Sequence, residues 1–189
     1  MTPVPTIPAD RLRTRTGEIR RLLCPLSSDP RGPACRPGPA TQGILFGAFG
    51  PGPAHGPVRD WRFRTSFRSY FGNYFEHWLP SGNATDEHVL ERAYLTIYRT
   101  ERTESGIEKE IVGLHCDPTI PAGAPFARYK RGPHLHLKEA KAPLPRAHIA
   151  LNLLSLDRIL TSVDELAEAL SSGIDLVREE LLGRYEEPS

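Results

Sequence analysis

An α+β fold is predicted, with a small antiparallel sheet packed against a C-terminal helix and an irregular Pro/Gly-rich N-terminal arm. Three observations carry this reading. Apolar and polar residues alternate strictly from Trp61, apolar residues recur at three- and four-residue steps near the C-terminus, and residues 1–57 hold eleven of the 19 prolines and eight of the 16 glycines. Alternation is the period of a half-buried strand and the longer step that of a helix with one buried stripe. Dense proline and glycine interrupts both. Strands followed by a packing helix give an antiparallel sheet covered on one face, so the arm is placed at residues 1–57 and the α+β domain at 58–189.

Within the arm, "ADRLRTRTGEIRRLL" has the composition of a short basic helix interrupted by Gly17, with little apolar surface to bury. The expectation is an irregular segment, draped over the core or a partner, or disordered. In "WRFRTSFRSYF", Trp61, Phe63, Thr65, Phe67, Ser69 and Phe71 fall on one side of a strand, with Arg62, Arg64 and Arg68 on the other. "HWLPSGNATDE" reads as a loop from its Pro80, Gly82 and Asn83. Two strands, at about 93–102 and 107–116, form a hairpin around Glu104, Ser105 and Gly106. Residues 126–131 and 134–138 read as one strand bent at Gly132 and Pro133, and a further strand lies around His148 to Leu153.

The C-terminal stripe comprises Val163, Leu166, Leu170, Ile174, Val177, Leu181 and Tyr185. Ser162 and Glu165 match the S-x-x-E capping box, which sets the helix start near Ser162. Gly173 marks a place for a bend or break.

A length of 189 residues suits one core with appendages. The net charge of +1 excludes a generally basic nucleic-acid coat, so any cationic surface is local. No apolar run approaches the roughly 18 residues of a membrane-spanning helix, and prolines occupy the N-terminal region where a signal peptide carries its apolar core. These features predict a cytoplasmic protein with no membrane partner. Cys24, Cys35 and Cys116 form an odd set without a C-x-x-C pair, which signals neither a disulfide framework nor a cysteine zinc site.

The chemistry is concentrated in "YKRGPHLHLKEAKAPLPRAHIALN". Strand alternation puts His134, His136 and Lys138 on one face and Leu135 and Leu137 on the other. His148 repeats the pattern one element later, and His115 ends the preceding hairpin strand. Imidazole titrates near pH 6.5, so a pair supplies one neutral base and one protonated acid, the combination that cleaves an RNA backbone without a cofactor. His134, His136, His115 and His148 are the catalytic candidates. Lys138, Lys130 and Arg131 are the phosphate contacts, and Arg62, Arg64 and Arg68 are the substrate track.

A hairpin closing on His115, Asp117 and Pro118, then the proline-led "PHLHL", then an apolar helical segment, resembles the small TumE-type toxins of bacterial toxin–antitoxin pairs. The resemblance spans about residues 93–172. It implies an RNA-targeting activity, an antitoxin as protein partner, and site roles for His115, Asp117, His134 and His136. Leu135 here separates two histidines that are consecutive in that family.

Three other readings compete. A non-enzymatic subunit would use the arm and an exposed sheet face to join a larger complex. A metalloenzyme would take His134, His136 and His148 with Glu139 as ligands, in a text that resembles cupin motifs but lacks their spacing and glycines. Cys116 as a nucleophile is disfavoured, because its neighbour His115 points to the opposite face of a strand. The expected site needs neither metal nor cofactor.

Overall fold

The computed structural model describes residues 4–50, 56–82, 86–100, 108–121, 123–124, 127–137, 147–150 and 160–183. Nine strands among them form one sheet: β1 (Thr6–Pro8), β2 (Ala34–Gly38), β3 (Ile44–Phe49), β4 (Phe63–Arg64), β5 (Tyr70–Pro80), β6 (Glu87–Thr100), β7 (Glu108–Cys116), β8 (His134–Leu137) and β9 (Ala147–Ala150). The main order is β2-β3-β5-β6-β7-β8-β9, with β1 alongside β6 and β4 alongside β5, and every pairing is antiparallel. Helices α1 (Ala9–Leu12), α2 (Arg15–Leu23), α3 (Ala127–Lys130) and α4 (Val163–Leu176), with 3₁₀ turns at Cys24–Leu26 and Val58–Asp60, complete the described elements, and α4 runs on into a wider helical turn at Val177–Leu182.

Register explains the burial. Phe46, Tyr74, Trp78, Leu95, Ile97, Val112, Leu114, Cys116 and Leu135 share one face through successive cross-strand pairs. All are buried, together with Leu12, Ile19 and Leu23 from α1 and α2 and with Val163, Leu166, Leu170 and Ile174 from α4. This is the covered face that the alternation predicts. Ser162 caps α4 as expected, its Oγ accepting from Glu165 N at 3.2 Å. The Glu165 carboxylate accepts from Thr161 N at 2.6 Å, one residue before the cap. Gly173 does not break α4; it lies against Leu114, whose Cδ1 would be 2.7 Å from an added Cβ.

The expected irregular arm is instead part of the sheet and its helical cover. Residues 6–49 supply β1 to β3, α1 and α2, and Ile7, Ile19 and Leu26 are fully buried. Prolines are accommodated because they sit at strand and helix margins: Pro8 precedes α1, Pro25 lies in the first turn of a 3₁₀ segment, and Pro37 is on the edge strand β2. The basic helix finds its burial through a charge. Arg15 and Glu76 are both fully buried and bonded in parallel, Nε–Oε2 at 2.9 Å and Nη2–Oε1 at 2.6 Å, while Tyr74 and Trp78 donate to the same carboxylate. Burial alone would lower the Arg15 pKa, but the charge and hydrogen bonds of Glu76 raise it well above the ordinary value.

Three strand expectations are corrected. The alternation at 61–71 is not one strand: Trp61, Phe63 and Thr65 are buried in turn, but the chain then turns at 66–69 and β5 begins at Tyr70. The Thr65 hydroxyl holds that turn, bonding Phe67 O and Tyr70 O at 2.9 Å each. His77 to Pro80 continue β5 rather than opening a loop, since Trp78 is a core residue paired with Leu90. Residues 127–130 form a helical turn, and among the described residues of this segment 134–137 pair as a strand.

Candidate functional site

The second face of the sheet is polar at one end. Two cross-strand rows run Phe75–Tyr94–His115–His134 and Asn73–Thr96–Gly113–His136–His148, so sheet pairing brings the predicted histidines into adjacent positions. The His115 ring centroid lies 5.7 Å from that of His134, edge-on, and 5.2 Å from that of His136. His148 is the backbone partner of His136, and its side chain lies outside the described residues, as do Lys138 and Glu139.

A third row runs Arg64–Phe71–Tyr98–Glu110 and adds a residue that alternation hides. In an unbroken strand Glu110 would face the core with Val112 and Leu114. The register shifts here: Ile97 pairs with Val112 but Tyr98 pairs with Glu110, leaving Ile111 as the extra residue of a bulge. A bulge re-aims the side chains on one side of it. Glu110 thereby joins the histidine face, its Oε1 3.7 Å from His136 Nδ1. No sequence rule marks the bulge, because it depends on pairing with β6.

Gly113 completes the geometry. An added Cβ would lie 2.5 Å from His115 Nε2, so the imidazole occupies the space over this glycine and leans toward Glu110 and His136. Tyr94 stacks on its other side, centroids 4.2 Å apart and planes 21° from parallel, and donates its hydroxyl proton to Asp117. Burial raises the Tyr94 pKa, as does the Asp117 carboxylate it bonds. Burial also lifts the Asp117 carboxyl above its usual range, against Tyr94, Arg92 and Lys130, which favour the anion. His134 is 1% exposed and its Nδ1 meets Gly132 O at 3.0 Å, which in the neutral ring makes Nδ1 the donor. His134 thus braces His115, while Glu110 and His115 are the more open members of the group.

The predicted cations divide. Lys130 lies beside Asp117, close enough to act on its charge. Arg131 is taken up structurally, its Nε donating to Ile120 O at 3.1 Å. Arg62 stacks over Tyr98 at 3.9 Å and donates to Arg59 O and Trp61 O at 2.9 and 3.0 Å. It stands at the edge of a cover formed by Val58 and Trp61, which sit over Gly38 and Gly47 at the far end of the same face. Arg64 and Arg68 are exposed. Cys116 is on the core face with its thiol pushed up by burial, which removes it as a nucleophile.

Comparison with protein families, curated proteins and solved structures finds no match to this chain. No helix among the described residues is long and apolar enough to cross a membrane.

Proposed function

We propose that the polar end of the sheet is the active site of an RNA-directed hydrolase. The observation that supports this reading is the grouping of His134 and His136 around His115, at 5.7 and 5.2 Å. Cleaving an RNA phosphodiester requires a group that activates the attacking oxygen and another that gives a proton to the leaving oxygen. Imidazole is populated in both forms near neutral pH. At the His115–His136 end, beside Glu110, one imidazole takes the proton of the attacking oxygen and the other gives a proton to the leaving oxygen. Lys130 at one margin and Arg62 and Arg64 at the other supply positive charge for the phosphate oxygens, and exposed Arg68 extends that track. The TumE-like order of motifs is in keeping with the same substrate, and an antitoxin would then be the protein partner.

The test is incubation of the full chain and its His115→Gln and His136→Gln variants with mixed RNA. Both variants should retain the circular dichroism of the parent and lose cleavage by at least about a hundredfold, the usual scale of one acid–base group. Cleavage that survives in both variants removes the proposed site.

A further inference from the structure

The carboxylate in this group points beyond imidazoles acting alone. Donor atoms of Glu110, His115 and His136 all lie within 4.8 Å of one another. Three features set that arrangement: the bulge at Ile111 turns Glu110 onto the face, Gly113 gives the His115 ring room to lean inward, and Tyr94 with His134 holds the ring from behind. The 3.7 Å between Glu110 Oε1 and His136 Nδ1 is longer than an N–H···O hydrogen bond. It is slightly wider than the spacing of about 3.4 Å between two ligands of one tetrahedral ion whose bonds are about 2.0–2.1 Å.

We infer that Glu110, His115 and His136 bind a divalent transition-metal ion. Two neutral imidazoles and one carboxylate form a borderline donor set that suits zinc and its neighbours, and a three-ligand site keeps a position for water or substrate. Donors up to 4.8 Å apart stand wider than the ligands of one bound ion, so binding draws the three side chains together. The ligand set differs from the cluster that sequence spacing suggests, because it draws on β7 twice and on β8 once. The inference rests on reading this face as the active site, and it changes the chemistry in one respect: the attacking oxygen is activated by the ion rather than by a free imidazole.

The full chain, freed of metal by chelator and dialysis, is titrated with Co²⁺ and followed by its visible absorption, and Zn²⁺ is then added as competitor. Saturation at one ion per chain is expected, with displacement by Zn²⁺. Glu110→Gln and His115→Gln should each weaken Co²⁺ binding by more than about a hundredfold, since the loss of supporting groups alone costs ten- to a hundredfold. Gly113→Ala, which displaces the His115 ring without removing a ligand, should weaken it by about tenfold. His77→Gln, whose ring pairs with Glu91 elsewhere on the face, should leave it unchanged. Matching circular dichroism across the set separates lost ligands from lost fold. No saturable binding, or binding equal in parent, Glu110→Gln and His115→Gln, overturns the inference. RNA cleavage is scored separately: a chain that binds Co²⁺ as described but leaves RNA intact refutes the substrate and keeps the site.

Discussion

Arg15 and Glu76 show how a single residue can contradict its composition. The segment around Arg15 looks like a solvated basic stretch, yet its guanidinium is wholly enclosed and held by Glu76 and by Glu18 at 2.8 Å. Replacing Arg15 with Met leaves the Glu76 carboxylate buried and uncompensated, so the variant should lose about 3–5 kcal/mol, measured as a shift in the urea midpoint. The double variant Arg15→Met/Glu76→Leu should recover much of that loss, because no charge is then stranded. Histidine positions were legible at this scale and Glu110 was not. His134 and His136 follow from alternation within one strand, whereas Glu110 changes face through a bulge defined by its partner strand.

Among the elements, α4 is the one whose start could be read directly. Ser162 is its N-cap, and Ser162→Ala should cost about 1 kcal/mol, seen as a lower Tm with unchanged helix content. The first turn of α4 also binds α1, since Arg11 pairs with Asp164 at 2.6 Å as well as with Glu18 at 3.1 Å. The hydrogen bond from Arg11 holds the Asp164 carboxyl below its usual range. Burial would raise Glu18, but hydrogen bonds from Arg15 and Arg11 bring it below its usual range as well. A carboxyl whose pKa is lower folded than unfolded stabilises the protein above its unfolded value. Stability is therefore expected to hold above the ordinary values of 4.5 and 3.8 and to fall as pH descends through the lowered ones. Urea midpoints across that range should show a shallower acid limb for Arg11→Met than for the parent. The element that sequence misread, 61–71, fails because alternation reports burial in turn and not hydrogen-bond pairing: Thr65 is buried inside a turn.

At the scale of the whole molecule, the N-terminal third is structural. Ile7, Leu12, Ile19, Leu23 and Leu26 are buried against the sheet, each worth about 1.5–3 kcal/mol. Together these are on the order of the entire stability of a domain, about 5–15 kcal/mol. A chain lacking residues 1–38 loses β1, α1, α2 and β2 and should show no cooperative thermal transition by circular dichroism. A truncated chain that melts like the full-length protein would mean that this segment is an appendage after all.

Sequence by itself determined the α+β class, the hairpin of β6 and β7, the capped C-terminal helix and the face on which His134 and His136 stand. Each is a local property, fixed by a period of two or 3.6 residues or by a cap spanning four. Tertiary structure alone decided that the proline-rich segment joins the sheet, that Arg15 is buried, and that Glu110 and His115 meet His136. Those outcomes depend on which strands lie side by side and in what register, and no periodicity within a strand carries that information.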